Sequence, residues 1–499
     1  MIPSQKQLRL SSMAKKYIAY SAVIAIAITS FLLRLREISS VDLWYDEAFT
    51  GLSVRYGWKE ILDVIREDGV HPPTYCLLLK IWTSLAGNTP FTLRFFSEIC
   101  GVLTVMAAYL LSRKLFTKDS ELIGLASALV VAISPFFVSY SVEARSYALV
   151  GLVGIIFVAG LMDLYRAILQ GEKSIPKMVY ALCLGGLLVS LHYYQVVIVV
   201  SGIAGLAVAW LLNCNRATAR YFAYCVMTLF CGAFFLSGLV KTSILRQPAE
   251  LDWIAPASIW NMPAAIYAYL FGVVRYAIGV PPLNSMKFGI SPPFVGIVVF
   301  ALLLALVITF FARNRCRFEA GAMVLLLSVS LVPICCVIMM SSIGLDAFVV
   351  RYLIVAGIML VELVVTLSVF VLKKYAAFVL LAYFLLLGCL SKYPSHSHYV
   401  PLFNYLRSFR SNIVFVDPYD YVVARYYLEP ESSFPAILSS QPDLYKNWVM
   451  IQRGKQIDSL YKLARNDVFV LKREDARSFD LTGFELAASL SEFSVYRKI

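Results

Sequence analysis

The sequence predicts a polytopic α-helical membrane protein, with about eleven transmembrane helices and a small C-terminal α/β domain outside the bilayer. Three observations carry that reading. Of 499 residues, 60% are hydrophobic and 15% charged, whereas soluble domains carry about 25% charged residues. Mean hydropathy is +0.74, and a soluble chain of that balance would expose large apolar patches. Uncharged apolar runs of spanning length recur along most of the chain, and composition turns ordinary only after residue 391. Together these exclude a soluble cytosolic enzyme, a disordered chain and a fibrous repeat.

Seven runs read directly as spans: 17–33, 122–142, 147–162, 221–240, 288–312, 320–345 and 375–391. The uncharged stretch 178–213 is too long for one helix and divides at His192-Tyr193-Tyr194-Gln195 into two. Segment 95–112 spans if Arg94 and Glu98 sit near the interface, and 352–372 spans with one internal acid, Glu362. The stretch 74–87 is short for a bilayer of ~30 Å at ~1.5 Å per residue and contains Lys80.

Charge settles the topology. With 74–87 lying along or dipping into the outer face and the N-terminus inside, every short cytoplasmic loop is basic, and the short outer loops hold almost no Lys or Arg. The net charge of +13 is then almost wholly a topology signal, because cytoplasmic ends carry 17 basic against 5 acidic residues. No nucleic-acid partner is implied. The first span, leaving through Arg34-Leu35-Arg36 without a small-residue cleavage site, reads as an uncleaved anchor. The ten cysteines lie in or beside apolar stretches without CxxC spacing and read as small hydrophobes.

These spans define a transmembrane region 1–391, with outer loops at 36–90 and 241–287, and an extracytoplasmic domain 392–499. The second loop contains an amphipathic stretch at 259–279 and could act as a lid. Strand-like runs in the tail are 413–417, 467–471 and 493–497, with a helix near 419–428.

Unusual polar residues collect at one predicted surface. Asp46-Glu47 follows the first span, and His71-Pro72-Pro73 lies later in that loop. Glu143 and Arg145 occupy the turn YSVEARSYAL, His192 another outer turn, and Arg351-Tyr352 opens the tenth span. Ionisable groups at the rim of apolar helices cost free energy unless paired or used. Carboxylates beside arginines at a lipid interface suit a phosphate-bearing substrate, because arginine grips phosphate bidentately and a carboxylate accepts a proton from an attacking hydroxyl. Each residue also has a structural alternative. Asp46-Glu47 could cap a helix, His71-Pro72 could start one, Arg145 could pair with Glu143, and Arg351 or His192 could anchor the interface. Glu362, 11 residues beyond Arg351 and so about 16 Å deeper, could be a buried structural acid. His396 and His398 are too few for a metal site.

Three blocks carry a family resemblance. LWYDEAFTGLSVRYG with HPPTYCLLLKIW, YSVEARSYAL and RYLIVAGIML together resemble the GT-C membrane glycosyltransferases, within them the glycosyltransferase family 39-like group of protein O-mannosyltransferases and the lipid A aminoarabinose transferase. The resemblance covers 17–391 in architecture. It implies a GT-C-like fold and inverting transfer of a sugar from a polyprenyl-phosphate donor to a lipid, protein or glycan acceptor. Asp46 matches the essential acid of the first loop and would be the base, with Glu47 in support. His71, Arg145, Arg351 and Tyr352 would hold the donor phosphate, with Glu143, His192 and Glu362 secondary. The first loop has no DxD triplet, so a divalent metal cofactor is possible but has no support in the sequence. The resemblance places the protein in an inner (plasma) membrane facing outward.

The residues alone also permit a transporter or flippase of an anionic lipid, or an assembly subunit of an envelope machine. The large asymmetric first loop with its acidic pair favours an enzyme. There is no GxxxxGK[ST] motif and no likeness between the two halves of the chain.

Overall fold

A computed structural model describes residues 5–38, 42–69, 71–172, 174–212, 256–271, 292–314, 316–344, 348–376, 399–429, 435–438, 455–457, 459–473 and 475–499, with isolated positions 219, 223, 227, 254 and 382. The chain divides into two compact units. The first comprises Met1–Leu35, Ser97–Val142 and Ser146–Tyr393; the second comprises Arg36–Phe96, Glu143–Arg145 and Pro394–Ile499.

The first unit is helical. Six helices among the described residues are long and apolar enough to cross a membrane: Tyr17–Ile38, Pro90–Leu115, Tyr147–Leu169, Gly296–Arg313, Arg317–Ser342 and Val350–Leu372. We label in chain order α1 (Gln5–Ile38), α5 (Pro90–Leu115), α6 (Ser120–Ile133), α7 (Pro135–Ser141), α8 (Tyr147–Leu169), α9 (Ile175–Leu191), α10 (Gln195–Leu211), α11 (Asn261–Phe271), α12 (Pro292–Arg313), α13 (Arg317–Ser342) and α14 (Ile354–Leu367). The predicted span 122–142 is the broken pair α6–α7, bent by 62°. Pro135 causes the break. It lacks an amide proton and drives Ser134 before it out of the helical region, to ψ 125°. The stretch 178–213 divides as expected, with α9 and α10 on either side of His192. The predicted spans 221–240 and 375–391 lie almost wholly outside the described residues.

Small residues let these helices approach. A Cβ on Gly154 of α8 would fall 2.4 Å from the Val355 side chain of α14, and one on Gly357 of α14 would fall 2.5 Å from the Tyr269 ring of α11. Close backbone approach of this kind is how apolar helices gain packing energy where lipid competes for their surfaces. Helix α11 departs from the amphipathic outer stretch expected at 259–279. Pro263, Ala264, Ala265, Ile266, Ala268, Tyr269 and Leu270 are all buried, so apolar residues on every side make it an internal helix. The remainder of the expected lid at 241–287 is largely outside the described residues.

In the second unit three helices follow the first span: α2 (Tyr45–Ser53), α3 (Trp58–Asp68) and α4 (Thr74–Ala86). Helix α4 has 13 residues, about 20 Å at ~1.5 Å per residue and too short to cross a bilayer. Lys80 of α4 donates to the carbonyls of Val54 (3.1 Å) and Tyr56, just past α2, where a cation complements the helix dipole.

The tail forms a six-stranded sheet of order β3-β2-β1-β4-β6-β5. The strands are β1 (Ile413–Phe415), β2 (Pro435–Leu438), β3 (Lys455–Ile457), β4 (Val468–Lys472), β5 (Phe484–Leu490) and β6 (Phe493–Lys498). The first four are mutually parallel, and β6 joins them antiparallel to β4. Two tail helices, α15 (Tyr399–Leu406) and α16 (Pro418–Leu428), complete it. The predicted strands at 413–417, 467–471 and 493–497 and the helix near 419–428 are all present. Helix α16 starts where the sequence directs: Asp417 accepts the amides of Tyr419 (2.7 Å) and Asp420 (3.3 Å), and Pro418 occupies the first turn. One face of the sheet buries Val414, Ala436, Leu438, Phe469 and Leu471.

Candidate functional site

In the second unit the acidic pair opens α2, and its two members have different surroundings. Glu47 is fully buried. Its Oε1 accepts Arg94 Nε (2.8 Å) and the Ala144 amide (2.8 Å), and its Oε2 accepts Arg94 Nη2 (2.6 Å) and the Trp44 amide (3.3 Å). Arg94 also donates to the carbonyls of Ile38 (2.9 Å) and Asp42 (2.8 Å). Four donors thus saturate Glu47. It ties α2 to α5 and to the turn at 143–145.

Asp46 keeps an open carboxylate. Its side chain is 22% exposed, and the ion pair it makes among the described residues is with Arg145 Nη2 at 3.7 Å, beyond hydrogen-bond distance. Arg145 is buried and donates to the Asp46 carbonyl (3.3 Å) and Thr50 Oγ1 (3.2 Å), and its Nη2 lies 3.0 Å from His71 Nε2. Because guanidinium only donates, His71 Nε2 accepts here and its other nitrogen carries the proton. Asp46, His71 and Arg145 thus form one cluster. Glu143 opens the same turn, its carbonyl accepting the Arg145 amide at 2.8 Å. Burial pushes the thiol of nearby Cys76 up to about 12, against a smaller downward pull from Arg145.

A second cluster lies in the first unit. Arg351 and Tyr352 sit on a buried 3-10 turn, Val350–Leu353, that leads into α14. Tyr269 of α11 fixes this turn, its phenol donating to the carbonyls of Val350 (3.0 Å) and Leu353 (3.3 Å). The Arg351 guanidinium lies 5.8 Å from the Tyr147 ring and 5.6 Å from that of Tyr352. His192 and Tyr194 pack on Tyr352, with centroids 4.7 Å and 5.0 Å away. Gln195 donates to the Tyr352 carbonyl at 2.7 Å. The buried Tyr147 phenol has no hydrogen-bond partner among the described residues. His192 thus joins the arginine-tyrosine block. Glu362 is not part of it: it lies further along α14 and accepts Ser112 Oγ of α5 at 2.5 Å.

Sequence reading missed Arg94, Thr50, Tyr147, Gln195 and Tyr269. Arg94 had a signal, since a cation at the mouth of an apolar helix requires a partner. The others are ordinary residues whose importance arises from packing. His396 and His398 lie outside the described residues. Among the described residues no three His, Cys, Asp or Glu side chains are grouped to hold a metal.

The chain has a fold like that of the GT-C membrane glycosyltransferases and resembles the O-mannosyltransferase and aminoarabinose transferase group within them. A family model described as dolichyl-phosphate-mannose-protein mannosyltransferase matches residues 70–237. The structure is similar to that of ArnT from Cupriavidus metallidurans bound to undecaprenyl phosphate, with TM-score 0.54 and 12% identity over 96% of this chain and 98% of that one. It is also similar to the Archaeoglobus fulgidus oligosaccharyltransferase tethered to an acceptor peptide, with TM-score 0.51 and 13% identity over 93% of this chain and 70% of that one. No sequence match is found among curated proteins. Family model and fold together indicate an integral membrane glycosyltransferase.

Proposed function

We propose that the protein transfers a sugar, with inversion, from a polyprenyl-phosphate donor to an acceptor at the outer face of the membrane. The observation that carries this reading is the contrast within the acidic pair. Four donors occupy the two oxygens of buried Glu47, while Asp46 keeps a partly exposed carboxylate beside Arg145 and His71. Asp46 takes the proton of the acceptor hydroxyl as that oxygen bonds to the anomeric carbon. The bond from that carbon to the phosphate oxygen breaks, and its electron pair leaves with polyprenyl phosphate. Arg351, presented on a rigid turn with Tyr352, meets the negative charge of that phosphate. Arg145 and His71 are assigned here to fixing Asp46, and Glu47 to positioning. Glu143 and His192 support these groups, and Glu362 is a structural acid.

The likeness to a structure bound to undecaprenyl phosphate, and to a family model described as a dolichyl-phosphate-mannose-protein mannosyltransferase, supports the donor class. The acceptor is a lipid, protein or glycan. Residues 1–391 are proposed as the catalytic region and 392–499 as an extracytoplasmic domain. The membrane is proposed to be the inner (plasma) membrane, with a cytoplasmic N-terminus, as the basic loops direct.

The test uses purified protein, a radiolabelled polyprenyl-phosphate sugar and crude envelope acceptors, beside Asp46→Asn. Release of polyprenyl phosphate should fall at least about a hundredfold in the variant, the usual contribution of a general base. Equal release by both proteins would eliminate Asp46 as the base. A flippase would move the labelled lipid across vesicles without releasing its sugar.

A further inference from the structure

Helix α2 has nine residues, fewer than the roughly 12–15 that an isolated helix needs to be even marginally stable in water. Its position must therefore come from outside. Glu47 and Arg94 supply one attachment, and helix α16 of the tail supplies others, on both sides of Asp46. Before α2, the Leu43 amide donates to the Tyr427 phenol at 3.0 Å. The Asp42 carboxylate there accepts the amides of Tyr399 (2.7 Å) and Val400 (3.1 Å) at the start of α15. The Tyr45 ring meets that of Tyr419 edge-on, 4.9 Å between centroids.

At the far end of α2 the fit is closer. A Cβ on Gly51 would lie 2.5 Å from the Tyr426 ring, so glycine alone admits that ring. The Arg55 guanidinium lies 4.4 Å over the same ring and donates to the carbonyls of Tyr426 (2.9 Å) and Glu429 (3.2 Å). The Tyr426 phenol donates to Asn88 Oδ1 (3.1 Å), whose amide donates to the Gly51 carbonyl (2.9 Å). Tyr426 is 3% exposed.

We propose that α16 is a positioning element for the candidate base: Tyr426 and Tyr427 of the tail hold α2 so that Asp46 keeps one orientation. Tyr426 and Tyr427 are positioning residues, without contact to substrate. The catalytic half of this proposal rests on the reading of Asp46 given above; the mechanical half does not. A general base has to be held within about 0.5 Å of its working position, and a short helix clamped at both ends meets that demand.

The experiment uses the full chain in lipid nanodiscs, with hydrogen–deuterium exchange of residues 45–53 as one readout and kcat and KM for a polyprenyl-phosphate sugar as the other. The variants are Tyr427→Phe, Tyr426→Leu, Gly51→Ala and the Gly51→Ala/Tyr426→Leu pair, with Tyr461→Ala on the exposed tail surface as control. Tyr426→Leu and Gly51→Ala should each speed exchange in α2 at least about tenfold and lower kcat about tenfold at unchanged KM, as expected of displaced catalytic geometry. Tyr427→Phe should do the same more weakly, and the control should match wild type. The pair should be less impaired than the sum of its parts, since truncating Tyr426 removes the nearest atoms the new methyl would meet and leaves only the movable end of Leu93, at 2.9 Å, to give way. Additive losses, or unchanged exchange in α2, would overturn the clamp. Faster exchange with kcat unchanged would overturn the positioning role. If wild type transfers no sugar while the exchange results hold, the clamp stands and the assignment of Asp46 fails.

Discussion

Arg94 grips Glu47 with two parallel hydrogen bonds, Nε to Oε1 at 2.8 Å and Nη2 to Oε2 at 2.6 Å, with both side chains almost wholly buried. A forked pair of this geometry is strong and directional. It also carries a penalty, because removing either partner strands the other charge. Glu47→Ala should therefore destabilise the protein by about 3–5 kcal/mol. Thermal unfolding in detergent reads this directly as a large fall in Tm. Glu47→Gln keeps the shape and one acceptor, and should fall less. An alanine variant as stable as wild type would show that the pair does not hold α2.

Arg145 serves three acceptors at once: the Asp46 carbonyl, Thr50 Oγ1 and His71 Nε2. A lysine keeps the charge but offers a single point of attachment. Arg145→Lys should therefore lose most of the benefit, with kcat for donor consumption down about tenfold or more. Wild-type turnover in the lysine variant would mean that charge alone matters at this position.

Tyr147 offers a substitution that removes a single atom. Its buried phenol has no partner among the described residues and lies beside the Arg351 guanidinium. If that hydroxyl serves a lipid phosphate, Tyr147→Phe should weaken polyprenyl-phosphate binding about fivefold, the worth of one hydrogen bond of about 1 kcal/mol. The Tm should hold or rise. A lower Tm with unchanged binding would assign the phenol to the fold instead.

Asp420 predicts a pH dependence in the tail. Burial, and then the negative charge of Asp417, push its carboxyl up to about 7, against the pull of Lys472 and the Tyr399 phenol; Glu492 adds to the rise. A folded-state value above the ordinary 3.8 means that folding favours the protonated acid. This contribution is complete below about pH 4 and is lost as pH rises through about 7. Asp420→Asn removes the loss, so its Tm relative to wild type should climb between pH 5 and pH 8. A difference that stays constant over that interval would contradict the assignment.

The membrane part was legible because lipid imposes simple rules. Apolar runs of spanning length place α1, α5, α8, α12 and α13, and a proline places the bend between α6 and α7. The burial of α11 on every side is not legible in the sequence, because alanine and proline around Tyr269 carry no periodic pattern. In the tail, β1, β4 and β6 announce themselves through Val, Ile and Phe. The three residues of β3, Lys455–Ile457, carry no strand signal and are held by pairing to β2. At the site, residue types placed Asp46, His71 and Arg145 at one surface without showing that they meet. Only the family resemblance separated Asp46 from Glu47, because two adjacent acids look alike until the side chain that reaches one of them, Arg94, is placed.

The bond from the Leu43 amide to the Tyr427 phenol joins residues 384 positions apart. A ribosome adding about 5–20 residues per second needs roughly 20–80 s to cover that distance. Throughout that time the first loop is already made while its later supports, the turn at 143–145 and then the tail, are still to come. The acidic helix is thus completed by a segment made long after it, and a nascent chain that stops short of Tyr427 carries Asp46 without that support.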